Sequence, residues 1–266
     1  MGSSTQNRYV ALIERVFLDS YTPGCEDIPF HRQDLVAAAA TLGMDLPKNL
    51  GDVLYSIRYR TAMPSTIAAT QPAGKVWVIE GTGRSTYTFR LVPINRIRPN
   101  PLLQPIKIPN ATPEIISQYS LSDEQALLAV VRYNRLIDLF LGLATYSLQN
   151  HLRTTVKGIG QIEIDEVYVG VDKHGRQFVI PIQAKGGSDQ LGAVQTKQDV
   201  RCCLEKFPSL ICRPVGAQFI EDQLVALFEL TIDGEDVRMV DERHYKLVPR
   251  SEISSIDLDT YRRVST

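Results

Sequence analysis

Long apolar runs are missing from this chain. No stretch approaches the roughly 18 consecutive apolar residues of a membrane-spanning helix. The nearest, "LIDLFLGLATYSL", is interrupted by Asp138, so a buried helix is expected there and no membrane partner. An apolar leader is missing as well: "MGSSTQNRYV" has no hydrophobic h-region, which sets a cytoplasmic location as the expectation. Cysteine is scarce, with only Cys25, Cys202, Cys203 and Cys212. None forms a C-x-x-C pair, and His31, His151, His174 and His244 do not stand at zinc-ligand spacing. That pattern excludes a disulfide framework and a structural zinc site, and leaves reduced thiols. A strong charge of one sign is absent too. The formal net charge is -1, so only a local basic surface can attract nucleic acid. What the chain does have is 44% hydrophobic residues over 266 positions, enough for one large domain or two smaller ones with packed cores.

The first hundred residues carry helical spacing. "RYVALIERVFLDSY" places Val10, Leu12, Ile13, Val16 and Phe17 on one side, "HRQDLVAAAATLG" reads as a second helix closed by Gly43, and "LPKNLGDVLYSIRYR" as a third, with Asn49 as N-cap. Two strand-like runs follow, "KVWVIEG" and "STYTFRLV", joined by a turn at Gly81-Thr82-Gly83-Arg84. Three helices and then a hairpin is the order of a winged helix, a module whose third helix enters the major groove of DNA. The candidate DNA contacts are Tyr55, Arg58 and Arg60 on that helix and Arg84 at the wing tip. Residues 1–100 hold 11 Lys and Arg against 8 Asp and Glu, so this third is mildly basic while the remainder is acidic. Solvated helix-end residues answering the helix dipole are the alternative reading of the same arginines.

Five prolines, Pro99, Pro101, Pro105, Pro109 and Pro113, crowd the next segment. They exclude a helix and favour an extended connector. The chain therefore divides into a winged-helix domain at 1–98, a linker at 99–120 and a second domain at 121–266. Ser122 and Gln125 form a capping box, opening a helical pattern of some thirty residues with Gly142 as a candidate break, so one long helix or two consecutive ones are expected.

The densest chemistry lies in "GQIEIDEVYVGVDKHGRQFVIPIQAKGG", Gly160 to Gly187. Two β-branched runs flank the turn Lys173-His174-Gly175-Arg176. Side chains alternate along a strand. Glu163 and Asp165 therefore share one face, with Glu166 on the other, and Gln183 and Lys185 share a face of the second strand. Paired as a hairpin, Glu163, Asp165, Gln183 and Lys185 converge. Buried charges are costly unless paired or bound to a metal. A cross-strand ion pair between Glu163 and Lys185, with Asp165 and Glu166 as edge-strand charges, is the structural alternative.

An acidic residue, a hairpin and then x-x-Lys resembles the PD-(D/E)xK nuclease superfamily, to which many restriction endonucleases belong. Asp165 matches the acidic position and Lys185 the lysine. Gln183 stands where the family usually carries Asp or Glu, and Ile164 where it carries proline. The resemblance covers roughly residues 123–218. It implies a C-terminal restriction-endonuclease-like mixed β-sheet flanked by helices, and hence an α/β (α+β) fold overall.

It also implies Mg²⁺, with Mn²⁺ as a substitute, held by Asp165, the Gln183 amide oxygen and the Ala184 carbonyl, with Glu163 as a further ligand or base. Lys185 would orient the attacking water and offset developing charge. Gln195 and Gln198 on the following helix would touch the phosphate backbone. Strands are expected in "LICRPVGAQFI", "QLVALFELTIDG" and "EDVRMVDERHYKLV", with Asp233-Gly234 as a hairpin turn and a loosely ordered tail after Pro249.

The functional expectation is a metal-dependent endonuclease cutting double-stranded DNA, of type II restriction character and working as a homodimer. A non-catalytic DNA-binding or regulatory protein, its nuclease fold decayed at Gln183, is one alternative. A nuclease of repair or defence without sequence preference is another.

Overall fold

The computed structural model describes residues 2–47, 49–59, 63–93, 96–119, 124–186, 191–221, 223–234 and 236–263. Arg60, Ser122 and Gly187 lie outside them. The chain is mixed α+β and divides into two compact units: Met1–Ile94 with Thr155–Gln161, and Asn95–Thr154 with Ile162–Thr266.

The first unit runs α1 (Gly2–Ser20), β1 (Asp27–His31), α2 (Arg32–Thr41), α3 (Leu50–Tyr59), a short α4 (Ser65–Ala68), β2 (Lys75–Gly83) and β3 (Thr86–Pro93). The helical spacing read in α1 is realised: Leu12, Ile13, Val16 and Phe17 are all buried. Asn49 caps α3 as its position suggests, its Oδ1 accepting Gly51 N–H at 3.0 Å. The three strands form an antiparallel sheet in the order β1-β3-β2. Its core is aromatic: Phe17 meets Trp77 and Phe89 edge-on, and Phe30 stacks on Phe89.

One strand was not foreseen, and one local expectation is corrected. β1 is a strand that no long periodic run announced; it is five residues, two of them buried. The hairpin turn is Arg84-Ser85 rather than Gly81 to Arg84. A register shift between Gly81 and Gly83 absorbs the two glycines within β2, and Ser85 takes the positive φ of 63°.

The second unit contains β4 (Arg96–Ile97), β5 (Ile106–Pro109), α5 (Glu114–Tyr119), α6 (Glu124–Tyr133), α7 (Leu136–Leu141), most of β6 (Ala144–Val156) and of β7 (Gly160–Val171), whose adjoining ends fall within Thr155–Gln161, β8 (Gln177–Lys185), β9 (Leu191–Gly192), α8 (Ala193–Lys206), β10 (Ile211–Cys212), β11 (Val215–Glu221), β12 (Leu224–Asp233), β13 (Asp236–Val248) and α9 (Ser255–Arg263). Seven strands line up as β5-β13-β12-β11-β8-β7-β6, and β10 also pairs with β8. β8 and β11 run parallel, so α8 is the core of a β-α-β crossover. The main core packs Leu127, Leu128, Val131, Leu136 and Ile137 of α6 and α7 against Ile180, Ile182, Ala217 and Leu227 of the sheet.

Three further expectations give way. The proline-rich 99–120 segment, read as an extended linker without helix, contributes β5, which pairs parallel with β13 because an edge strand tolerates proline, and the helix α5, which begins just after Pro113. The helical pattern forms two consecutive helices, α6 and α7, but ends sooner than expected, at Leu141. Gly142 (φ 66°) closes α7, and β6 follows where the apolar pattern changes to alternation, with Leu143 and Thr145 buried and Ala144 and Tyr146 exposed. The polar tail forms α9, opened by a reciprocal cap in which Asp257 Oδ2 accepts from Ser254 Oγ and Asp257 N–H donates to Ser254 Oγ. Among the described residues, no helix is long and apolar enough to cross a membrane.

Candidate functional site

The β7–β8 hairpin is shaped differently at its two ends. At the turn, Asp172 Oδ1 accepts the N–H groups of His174 and Arg176, and Gly175 adopts φ 80°. From there the ladder runs from Val171↔Gln177 to Glu166↔Ile182. Just past that last pair, the side chain of Asp165 takes over: its Oδ2 accepts the Ala184 N–H at 2.9 Å. Ile182 to Lys185 of β8 pair on their other side with Val215 to Gln218 of β11.

This opening gathers the polar groups. Lys185 Nζ donates to Glu124 Oε1 of α6 at 2.8 Å. Gln183 Nε2 donates to Asp199 Oδ2 of α8 at 2.7 Å, in a buried pair. The Gln183 oxygen Oε1 is buried and has no hydrogen-bond partner. Burial pushes the Asp165 carboxyl above its ordinary range; the Lys185 charge and the Ala184 N–H oppose the shift, and Glu124 and Glu163 add to it. Asp199 is pushed up further, first by complete burial, against the Gln183 amide, and then by Asp165. The site thus holds more carboxylate than its cations and amides satisfy.

Glu163 stands apart from the expected quartet. Its carboxylate pairs with His151 at 3.2 Å and Arg153 at 3.1 Å, both on β6, so alternation placed its face but the neighbouring strand chose its partner. Ala184 is fully buried, its side chain in the main core. Gln195 is part-exposed on α8, whereas Gln198 is buried. The expected phosphate contact by Gln198 is therefore corrected. It lies beside Asp199 on a stripe with Thr196, Cys202 and Cys203, all turned into the fold at three- and four-residue spacing.

Glu166, predicted on the opposite face, is fully buried there, with Arg132 Nε at 3.0 Å and the Ser147 hydroxyl as partners. A cavity of about 290 Å³ opens on that side, lined by Val131, Arg132, Ser147 and Tyr168 and by none of Asp165, Gln183 or Lys185. In the first unit, Tyr55 and Arg58 are part-buried on α3, and Arg84 is exposed at the β2–β3 turn. Arg90 is spent on Asp27 and Glu80.

Two residues of the opening escaped the sequence. Glu124 reads as an ordinary helix-start carboxylate, and nothing local joins it to Lys185, 61 positions on. Asp199 left one trace: it is an acid on the inward stripe of α8.

Among the described residues, no group of three or more His, Cys, Asp and Glu side chains is placed to hold a metal ion. Comparison with known proteins finds no matching family model, no similar curated protein and no similar solved structure.

Proposed function

We propose that this chain is a metal-dependent nuclease hydrolysing phosphodiester bonds in double-stranded DNA. One observation carries the reading. At the point where the β7–β8 ladder ends, Asp165 and Lys185 meet around Gln183, whose buried oxygen Oε1 has no partner. A buried acceptor left unmet is costly, and a hard cation is a group that would satisfy it. The donor set fits Mg²⁺: the Asp165 carboxylate and the Gln183 amide oxygen, with the Glu124 carboxylate held on Lys185. Mg²⁺ prefers oxygen ligands and needs only one or two carboxylates, keeping several waters. The order helix, hairpin, helix, parallel strand in the second unit, and helices followed by a hairpin in the first, support the resemblance to restriction endonucleases joined to a winged helix.

When bound, the cation would polarise the phosphate and lower the pKa of a water. The chain's own groups do the rest. Asp165 is held in place by the Ala184 N–H. Lys185 Nζ donates to Glu124, and its positive charge steadies the phosphorane as charge builds. Glu124 keeps that ammonium at the opening. In its finer form the reading is a type II restriction enzyme, acting as a homodimer so that a two-fold axis presents one site to each strand.

The test is cleavage of supercoiled plasmid with Mg²⁺, beside Asp165→Ala and Lys185→Ala. Loss of cutting on the order of 10²–10³-fold in each is expected. No Mg²⁺-dependent cutting on several DNA substrates, or cutting that survives both substitutions, would overturn the proposal. Discrete fragments support the restriction reading; a smear supports a nuclease without sequence preference.

A further inference from the structure

A buried primary amide presents donors at one end and an acceptor at the other, and its neighbours decide which end points where. Gln183 is 4% exposed and Asp199 is 2% exposed. Asp199 Oδ2 accepts from Gln183 Nε2 at 2.7 Å, and that bond sets the orientation of the amide. It leaves Oε1 as the atom without a partner.

We infer that Asp199 is a positioning residue for Gln183 as a metal ligand: it holds the amide nitrogen so that the oxygen is left for the cation. This rests on the nuclease reading. It also gives a physical reason for Gln at position 183. A glutamate there would set two carboxylates at hydrogen-bond distance in a buried site, where like charges repel strongly. The amide avoids this by meeting Asp199 with its donor end. The negative charge is then moved back one layer, from the strand to α8. A carboxylate behind a ligand makes that ligand more basic and fixes its orientation, as the carboxylates behind metal-binding histidines do. Gln183 is then an intact ligand whose charge sits on its neighbour, and no loss of activity need be read into it.

The inference predicts a reversal of sign. Four full-length proteins are compared: wild type, Asp199→Asn, Gln183→Glu, and the double variant. Mn²⁺ alone is the probe, titrated calorimetrically, with circular dichroism and thermal midpoints recorded on each. In the wild-type background, Asp199→Asn should weaken Mn²⁺ binding by about 10–100-fold, since the new amide no longer dictates which end of Gln183 turns outward. In the Gln183→Glu background, the same substitution should strengthen binding. Carboxylate and amide have then exchanged places, and an oxygen is again left over. Plasmid cleavage at limiting Mn²⁺ should follow the same order.

A residue that merely supports the fold would weaken binding in both backgrounds. Weakening in both, or no change in either, overturns the inference while leaving an active wild type as a nuclease. A wild type that neither binds Mn²⁺ nor cuts DNA overturns both.

Discussion

Two aspartates on the β7–β8 hairpin, seven positions apart, meet opposite fates. At the closed end, burial works against the Asp172 charge, but Arg176 and the N–H groups of Arg176 and His174 outweigh it and hold its carboxyl below the ordinary range. At the open end, burial dominates at Asp165. One N–H and a lysine already paired with Glu124 do not make up for it, and its carboxyl is held above the ordinary range. Glu166, next in the chain, is fully buried on the opposite face, where Arg132 and the Ser147 hydroxyl both meet its Oε1 and Oε2 has no partner. The turn thus answers Asp172 more fully than the open end answers Asp165.

The comparison breaks most sharply on activity. Asp165→Asn should abolish Mg²⁺-dependent cutting to the same extent as Asp165→Ala, while Asp172→Asn should cut at the wild-type rate, in the plasmid assay. If both variants lose activity equally, the two ends of the hairpin do not differ in the way described.

Next in size is stability. Glu166→Gln should lower unfolding free energy by about 2 kcal/mol, the scale of a lost charged hydrogen bond, because the half-exposed Arg132 can turn toward water instead of staying buried and unpaired. Urea denaturation would measure this. The variant should still cut DNA per folded molecule, which separates Glu166 from Asp165.

The smallest effects lie in pH dependence, and they have opposite signs. Asp165 has a folded pKa above its unfolded value of 3.8. Its penalty is absent below pH 3.8 and grows as pH rises through the folded pKa. Without metal, Asp165→Asn should therefore match the wild type in acid and exceed it in stability near neutrality. Asp172 has a folded pKa below 3.8. Its contribution is present above that pH and is lost as pH falls through the folded value, so Asp172→Asn should be the less stable protein at neutrality and converge with the wild type in acid. Denaturation midpoints across pH 3 to 8 would read both; equal slopes would remove the distinction.

Parts of this picture were legible in local pattern. Alternation placed Asp165 with Glu163 and Gln183 with Lys185, because period two is a property of the strand itself. The apolar spacing of α1 and α3 and the Asp233-Gly234 turn, with Gly234 at φ 59°, were legible for the same reason. Other parts were not. β1 and β6 are strands only because β3 and β7 lie beside them, and α9 is secured partly through Lys107, 150 positions away from Asp257. The burial of Gln198 depends on which face of α8 the sheet covers.

The sequence by itself determined which residue types could do chemistry and which of them share a strand face, since these follow from side-chain identity and backbone geometry within a few residues. Tertiary structure decided who answers whom. It matched Glu163 to β6, Glu166 to Arg132, Lys185 to Glu124 and Gln183 to Asp199. Those pairings join positions from ten to more than sixty residues apart. Charge balance in a buried site is a sum over spatial neighbours, and the chain's order does not contain that sum.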